Sequence, residues 1–149
     1  MDTAAVAHPP AWHPFPSYIP STVIPSVPGA AHARIRFPAT ADYKAWLMGS
    51  TGRTLSVYVD GHRVGGARGV NTNGEWLPAG TVRVTRGMHD VELRRGHGSL
   101  RPGDRYAGWI GPLVFKADQA RAAYYVPRRD ARSLCRSGRI FDWIETRRS

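Results

Sequence analysis

The sequence predicts an all-β protein, a sandwich or a barrel. Three observations lead there. Short runs alternate apolar and polar residues with the period of two that marks a half-buried strand. These runs recur roughly every 8–12 residues and are separated by Gly- and Pro-rich turns. No stretch carries a useful helical period, and no strand–helix rhythm appears, which argues against a nucleotide-binding α/β fold.

Residues 1–32 form the first segment. Pro9, Pro10, Pro14, Pro16, Pro20, Pro25 and Pro28 forbid regular helix or central strand, so an extended arm or linker is expected. A free linker rarely carries groups as large as Trp12, Phe15, Tyr18, Ile19, Val23 and Ile24. Part of the arm is therefore expected to lie across the folded domain. The domain itself is read as residues 33–149. Ala33–Phe37, Asp42–Met48 and Thr54–Asp60 read as strands, the last closed by the hairpin signal Asp60-Gly61 and a short return from His62 to Gly65. Residues 65–80 read as a polar loop. Thr81–Thr85 and Met88–Arg94 are strands, with Val82, Val84, Val91 and Leu93 on their inner faces. Residues 96–108 form a second polar loop, followed by a strand from Trp109 to Lys116. A helical turn at 117–123, a strand at 124–126 and a closing strand at 139–146 complete the reading, with Trp143 in the core.

The chain has 149 residues and 42% hydrophobic residues, enough for one domain with a real core. Its formal net charge is +10. That charge invites an anionic partner such as nucleic acid, an acidic membrane surface or an acidic glycan. A solvated basic surface is the alternative: nearly all the cations are Arg, scattered along the chain, as a GC-rich genome would encode. The single cysteine, Cys135, excludes an intramolecular disulfide and a Cys-rich zinc site, and is read as a buried, inert thiol. No segment reaches the ~20 apolar residues of a membrane span, and the first thirty residues lack the features of a secretory signal. The chain is thus expected to be cytoplasmic or a piece of a larger protein.

Several segments carry a resemblance. Tyr43–Ser50, Val57-Tyr58-Val59-Asp60-Gly61, Gly87–Leu93 and Phe141–Glu145 resemble galactose-binding-like jelly rolls, a fold that many carbohydrate-binding modules share. Gly96–Val114, Leu134-Cys135-Arg136 and Asp142–Glu145 are similar to the C-terminal extracytoplasmic domain of multi-spanning actinobacterial glycosyltransferases, which build mycobacterial-type envelope polysaccharides. The resemblance implies a jelly-roll β-sandwich. It also implies an accessory role on the outer face of the plasma membrane, next to a parent glycosyltransferase and anionic lipid, with an arabinan, galactan or mannan as partner. A fold does not by itself carry a function, so the site is argued from its own residues.

Sugars are bound by aromatic faces that stack on C–H faces, and by amides, carboxylates and guanidiniums that read hydroxyls. Two loops mix these groups. The first offers Asn71, Asn73 and Trp76 with Glu75; its alternative reading is an Asn-Gly turn with Trp76 as a core anchor. The second offers Asp104, Arg105 and Tyr106; its alternative is a Pro-Gly turn in which Asp104 pairs with a neighbouring Arg, with Trp109 in the core. Trp46 and Tyr58 make a third possibility, a platform if both lie on one outer face, although burial of Trp46 beneath the arm is the favoured reading. A catalytic site is not expected: there is no Gly-x-Ser-x-Gly elbow and no evident pair of facing carboxylates. No cofactor and no required metal are expected, since no dense Asp/Asn/Glu cluster appears. Nucleic acid competes on charge alone, without a module signature.

Overall fold

The computed structural model describes residues 5–15, 22–118 and 126–135. The chain falls into two compact units, Met1–Gln119 and Ala120–Ser149. In the second unit the described residues hold a 3₁₀ turn, Arg128–Asp130, and one short helix, Ala131–Cys135. Val126 and Pro127 are in neither helix nor strand. The closing strand at 139–146, Trp143, the side chain of Cys135 and most of the 117–126 segment lie outside the described residues.

The first unit is an antiparallel β-sandwich of the jelly-roll type. Its strands are β1 (His13–Pro14), β2 (Val23–Ile24), β3 (Gly29–Phe37), β4 (Ala41–Val59), β5 (His62–Gly69), β6 (Trp76–Val84), β7 (Gly87–Arg95) and β8 (Trp109–Ala117). The long strand β4 belongs to both layers. Its first half pairs with β6 and β8, and its second half pairs with β5 and β7. One layer is therefore β3–β7–β4–β5 and the other is β1–β2–β8–β4–β6. The crossing falls at Gly49-Ser50-Thr51-Gly52, four small and fully buried residues where the sequence reads a gap between two strands.

Side-chain parity survives the crossing. Tyr43, Ala45 and Leu47 face inward from one layer, and Leu55, Val57 and Val59 from the other. They meet Ala67, Ala79, Val84, Val91, Leu93 and Ile110 in the interior. Phe37 sits edge-to-face on Tyr43 and Phe115, with centroids at 4.8 and 5.3 Å, closing one end of the core. The arm supplies the other end. Trp12 is 1% exposed, packs within the main core cluster and donates its indole N–H to Val27 O at 3.0 Å. Ala7 pairs with His32 of β3, and Phe15 stacks on Trp109 of β8 at 5.8 Å.

Where the sequence reads a loop over 65–80, the structure carries strand to Gly69 and resumes it at Trp76. The reason is a close approach of backbones from the two layers. A Cβ on Gly65 would lie 2.2 Å from Ala79 O and one on Gly80 2.4 Å from Val64 O, so these two glycines are spacers within strands rather than turn residues.

The β4–β5 hairpin turns on Asp60-Gly61, both at positive φ (49° and 77°), as its sequence demands. Asp60 also fastens this turn to β7. Its Oδ1 accepts the Asp90 backbone N–H at 3.0 Å, and its Oδ2 lies 2.6 Å from His89 Nδ1. His89 Nε2 faces Thr85 O at 2.9 Å, and the ring sits edge-on to Phe37. Both ring nitrogens thus meet acceptors, which only the imidazolium satisfies with two donors. The hydrogen bond to Asp60 raises the His89 pKa, and the same bond holds the Asp60 carboxyl below its usual range. The His89 contribution is then fully present below about pH 6.5 and is lost as pH rises through the raised value. The Asp60 contribution is lost as pH falls through its lowered value. The stability that the His89–Asp60 pair supplies is therefore expected to fall as pH rises above about 6.5. His89→Gln should flatten that slope; parallel pH profiles for the two proteins would refute the assignment.

Candidate functional site

Three connections gather at one end of the sandwich: the β4 crossing, the β5–β6 loop (70–75) and the β7–β8 loop (96–108). Both loops are fastened to the crossing. Asn71, at φ 60°, donates its backbone N–H to Ser50 Oγ at 3.0 Å. Thr72 Oγ1 donates to Gly49 O at 2.6 Å. Asn73 Oδ1 accepts the Trp109 indole N–H at 3.2 Å. The longer loop lies against Gly52, where a Cβ would sit 1.8 Å from Gly103 O. It turns through Asp104 N–H to Arg101 O (3.1 Å) and Tyr106 N–H to Gly103 O (3.0 Å).

Arginines fill this end and bond mainly to backbone carbonyls. Arg53 donates to Asp104 O at 2.6 Å and Gly96 O at 3.2 Å. Arg68 donates to Gly52 O at 2.8 Å and Pro102 O at 2.9 Å. Arg95, 2% exposed, donates to Ala107 O at 3.0 Å, and its Nε is buried without a partner among the described residues. Burial, and then the neighbouring Arg53 charge, push the Arg95 pKa down. Asp104 is the buried counter-charge. Its Oδ2 accepts from Ser99 N at 2.9 Å and from the Ser99 hydroxyl, and Oδ1 lies 4.0 Å from Arg68. The Ser99 hydrogen bonds hold its carboxyl below the usual range. The guanidiniums thus satisfy loop carbonyls that would otherwise be stranded, and they make the loop stiff.

A second surface begins at the same end. On the outer face of the β6–β4–β8 layer, Trp76 pairs with Met48, and Trp46 pairs with Pro78 on one side and Val114 on the other. Trp46 and Trp76 are therefore diagonal neighbours on adjacent strands, about 7–8 Å apart at the backbone. Trp76 is 43% exposed, and Trp46 is half-buried. Below them the face turns polar, with Lys44 opposite Thr81 and Lys116, and Asp42 bonded to Arg83 at 3.2 Å. Pro78 is tolerated because β6 is an edge strand, paired only with β4.

The structure brings the two candidate loops together but divides their residues by role. Asp104 is buried and spends its acceptors on Ser99, while Asn73 is exposed with its Oδ1 engaged by the Trp109 indole N–H. Asn71 is exposed at the turn. Arg105 and Tyr106 are exposed on the longer loop, and Trp76 is exposed at the start of β6. Trp109 is buried. The pairing of Trp46 with Tyr58 is corrected: they lie on opposite outer faces, because β4 changes layers between them. Tyr58 instead lies under Arg94, whose guanidinium carbon is 4.4 Å from the Tyr58 ring centroid. Trp46 is half-buried rather than fully buried, and its neighbour Trp76 was not evident from the sequence because register is not written in composition. No group of three His, Cys, Asp or Glu side chains is placed to hold a metal among the described residues.

No family model matches the chain, and no curated protein matches it. Solved structures do. The chain is similar to the GH26-CBM35 β-(1,4)-mannanase of Podospora anserina, with a TM-score of 0.54 and 10% identity over 80% of this chain. It covers 26% of that enzyme's chain. It is also matched to the GH31 α-xylosidase of Xanthomonas citri, with a TM-score of 0.32 and 16% identity over 61% of this chain and 12% of that one. At these identities the first likeness establishes the fold: an all-β sandwich of the kind found in carbohydrate-binding modules.

Proposed function

We propose that this chain is a non-catalytic glycan-binding module. One observation carries the reading: Trp46 and Trp76, half-buried and 43% exposed, are diagonal neighbours on the outer face of adjacent strands, where the sheet runs into a polar loop end. Flat aromatic faces take the C–H faces of sugar rings. The exposed loop groups Asn71, Arg105 and Tyr106 read hydroxyls, while Asn73 and Asp104 hold the loops in place. The fold shared with the mannanase supports this, since about a quarter of that chain, 26%, is matched and its name includes a carbohydrate-binding module.

The motif resemblance extends the proposal. The module belongs to a cell-envelope polysaccharide glycosyltransferase of actinobacterial type, on the extracytoplasmic face, where it holds the growing arabinan, galactan or mannan near the parent enzyme. A titration with these oligosaccharides at low and moderate salt, read by tryptophan fluorescence, tests it. Hydroxyl recognition is expected to change little with salt. Binding to nucleic acid alone, falling steeply with salt, would favour the basic surface instead.

A further inference from the structure

We propose that the loop end is also a docking surface for an anionic lipid bilayer, sharing Arg105 and Tyr106 with the glycan reading but centred on Leu100 and Arg101, which that reading does not use. Leu100 is the starting point. It is fully exposed on the 96–108 loop, with no core contact to justify a large aliphatic side chain there. Val70 of the adjoining loop is also exposed. The two loops touch, because a Cβ on Gly103 would lie 3.9 Å from Val70 Cγ2. Tyr106, 46% exposed, adds a ring with a polar tip, the type of side chain that favours the headgroup level.

Charge surrounds these apolar groups. Arg101 and Arg105 are exposed on the same loop, and Arg68 lies beneath it. The loop's only acid, Asp104, is buried and engaged by Ser99. An aliphatic tip inside a collar of guanidiniums matches a bilayer with an anionic surface, where the cations meet headgroups and the tip enters the acyl boundary. Nucleic acid fits less well, since Leu100 and Val70 have no face on which a base can stack. The tip is also held out rigidly. Arg53 and Arg68 bond four loop or crossing carbonyls, so little further ordering is needed on docking.

Flotation of the whole chain with phosphatidylcholine vesicles, with and without phosphatidylglycerol, tests the proposal. Binding is expected only when phosphatidylglycerol is present, and is expected to weaken with salt. Leu100→Ser should lower the partition coefficient about tenfold. Arg101→Gln should lower it about fivefold and reduce the salt dependence. Both positions are exposed, so the variants should keep the wild-type melting temperature. Neither Leu100 nor Arg101 is among the residues assigned to sugar, so sugar titrations of both should match wild type. Loss of vesicle binding with sugar binding intact is therefore distinguishable from failure of the glycan reading. No binding to phosphatidylglycerol vesicles, or equal binding by wild type and Leu100→Ser, would overturn the proposal. So would binding confined to a single-stranded oligonucleotide.

Discussion

Trp12→Ala should destabilise the domain by about 3–5 kcal/mol, the range for removing a fully buried large aromatic from a core. Few Pro-rich segments would show such an effect, because most contribute nothing to a core. Here the arm places a Trp at 1% exposure among Ala31, Leu47, Leu93 and Ile110. Truncation would leave a cavity between the layers and would free Val27 O, which the indole N–H now satisfies. In a thermal melt the shift should be roughly 6–20 °C for a chain of this size. Trp12→Phe should recover part of the loss by refilling the space without restoring the hydrogen bond. A change below about 1 kcal/mol would mean that the arm lies on the domain rather than in it.

Gly52→Ala carries the second large effect. Its cost is spatial. The added Cβ would meet Gly103 O at 1.8 Å and the carbonyl carbon at 2.8 Å. Both are backbone atoms, so no rotamer change relieves the clash. The loop at 96–108 would have to lift away from the crossing. That movement strains the Arg53 bond to Asp104 O and the Arg68 bonds that span Gly52 O and Pro102 O. A cost on the order of 3 kcal/mol is expected, at the upper end for overpacking. Urea unfolding measures it, and amide exchange of residues 96–108 locates it. A wild-type midpoint with unchanged loop exchange would show that the loop does not rest on the crossing.

Much of the fold was legible because strand alternation and turn chemistry are local. The Asp60-Gly61 hairpin, the inward set Tyr43, Ala45, Leu47 and the inward set Leu55, Val57, Val59 could be read one residue at a time. The buried Arg95 was also within reach: continuing the parity of Val91 and Leu93 by one step puts it inside. What escaped was non-local. The sequence around Gly49–Arg53 reads as a break, yet it is the passage of one strand from layer to layer, and that passage separates Trp46 from Tyr58. The neighbour relation of Trp46 and Trp76 depends on a bulge in β6, where Ala79 is the extra residue between the pairs Ala45–Gly80 and Trp46–Pro78; Gly80, at φ 133°, marks it only once the strand is known to continue there. The structural duties of Asn73 and Asp104 depend on partners 36 and 5 residues away. A polar residue in a loop looks the same in sequence whether it faces a ligand or a neighbouring loop.

The most direct test of glycan binding through the sheet face uses the indole N–H resonances. In a titration with an envelope-type oligosaccharide, the Trp46 and Trp76 signals should move together along one binding curve. The Trp12 and Trp109 signals should stay in place, because those N–H groups are held by Val27 O and Asn73 Oδ1 inside the domain. Trp76→Ala should then weaken binding at least tenfold, the effect of truncating an aromatic anchor ~1.4 kcal/mol or more in worth. Sugar-dependent shifts confined to other residues, with Trp46 and Trp76 unmoved at saturation, would contradict the assignment of this face.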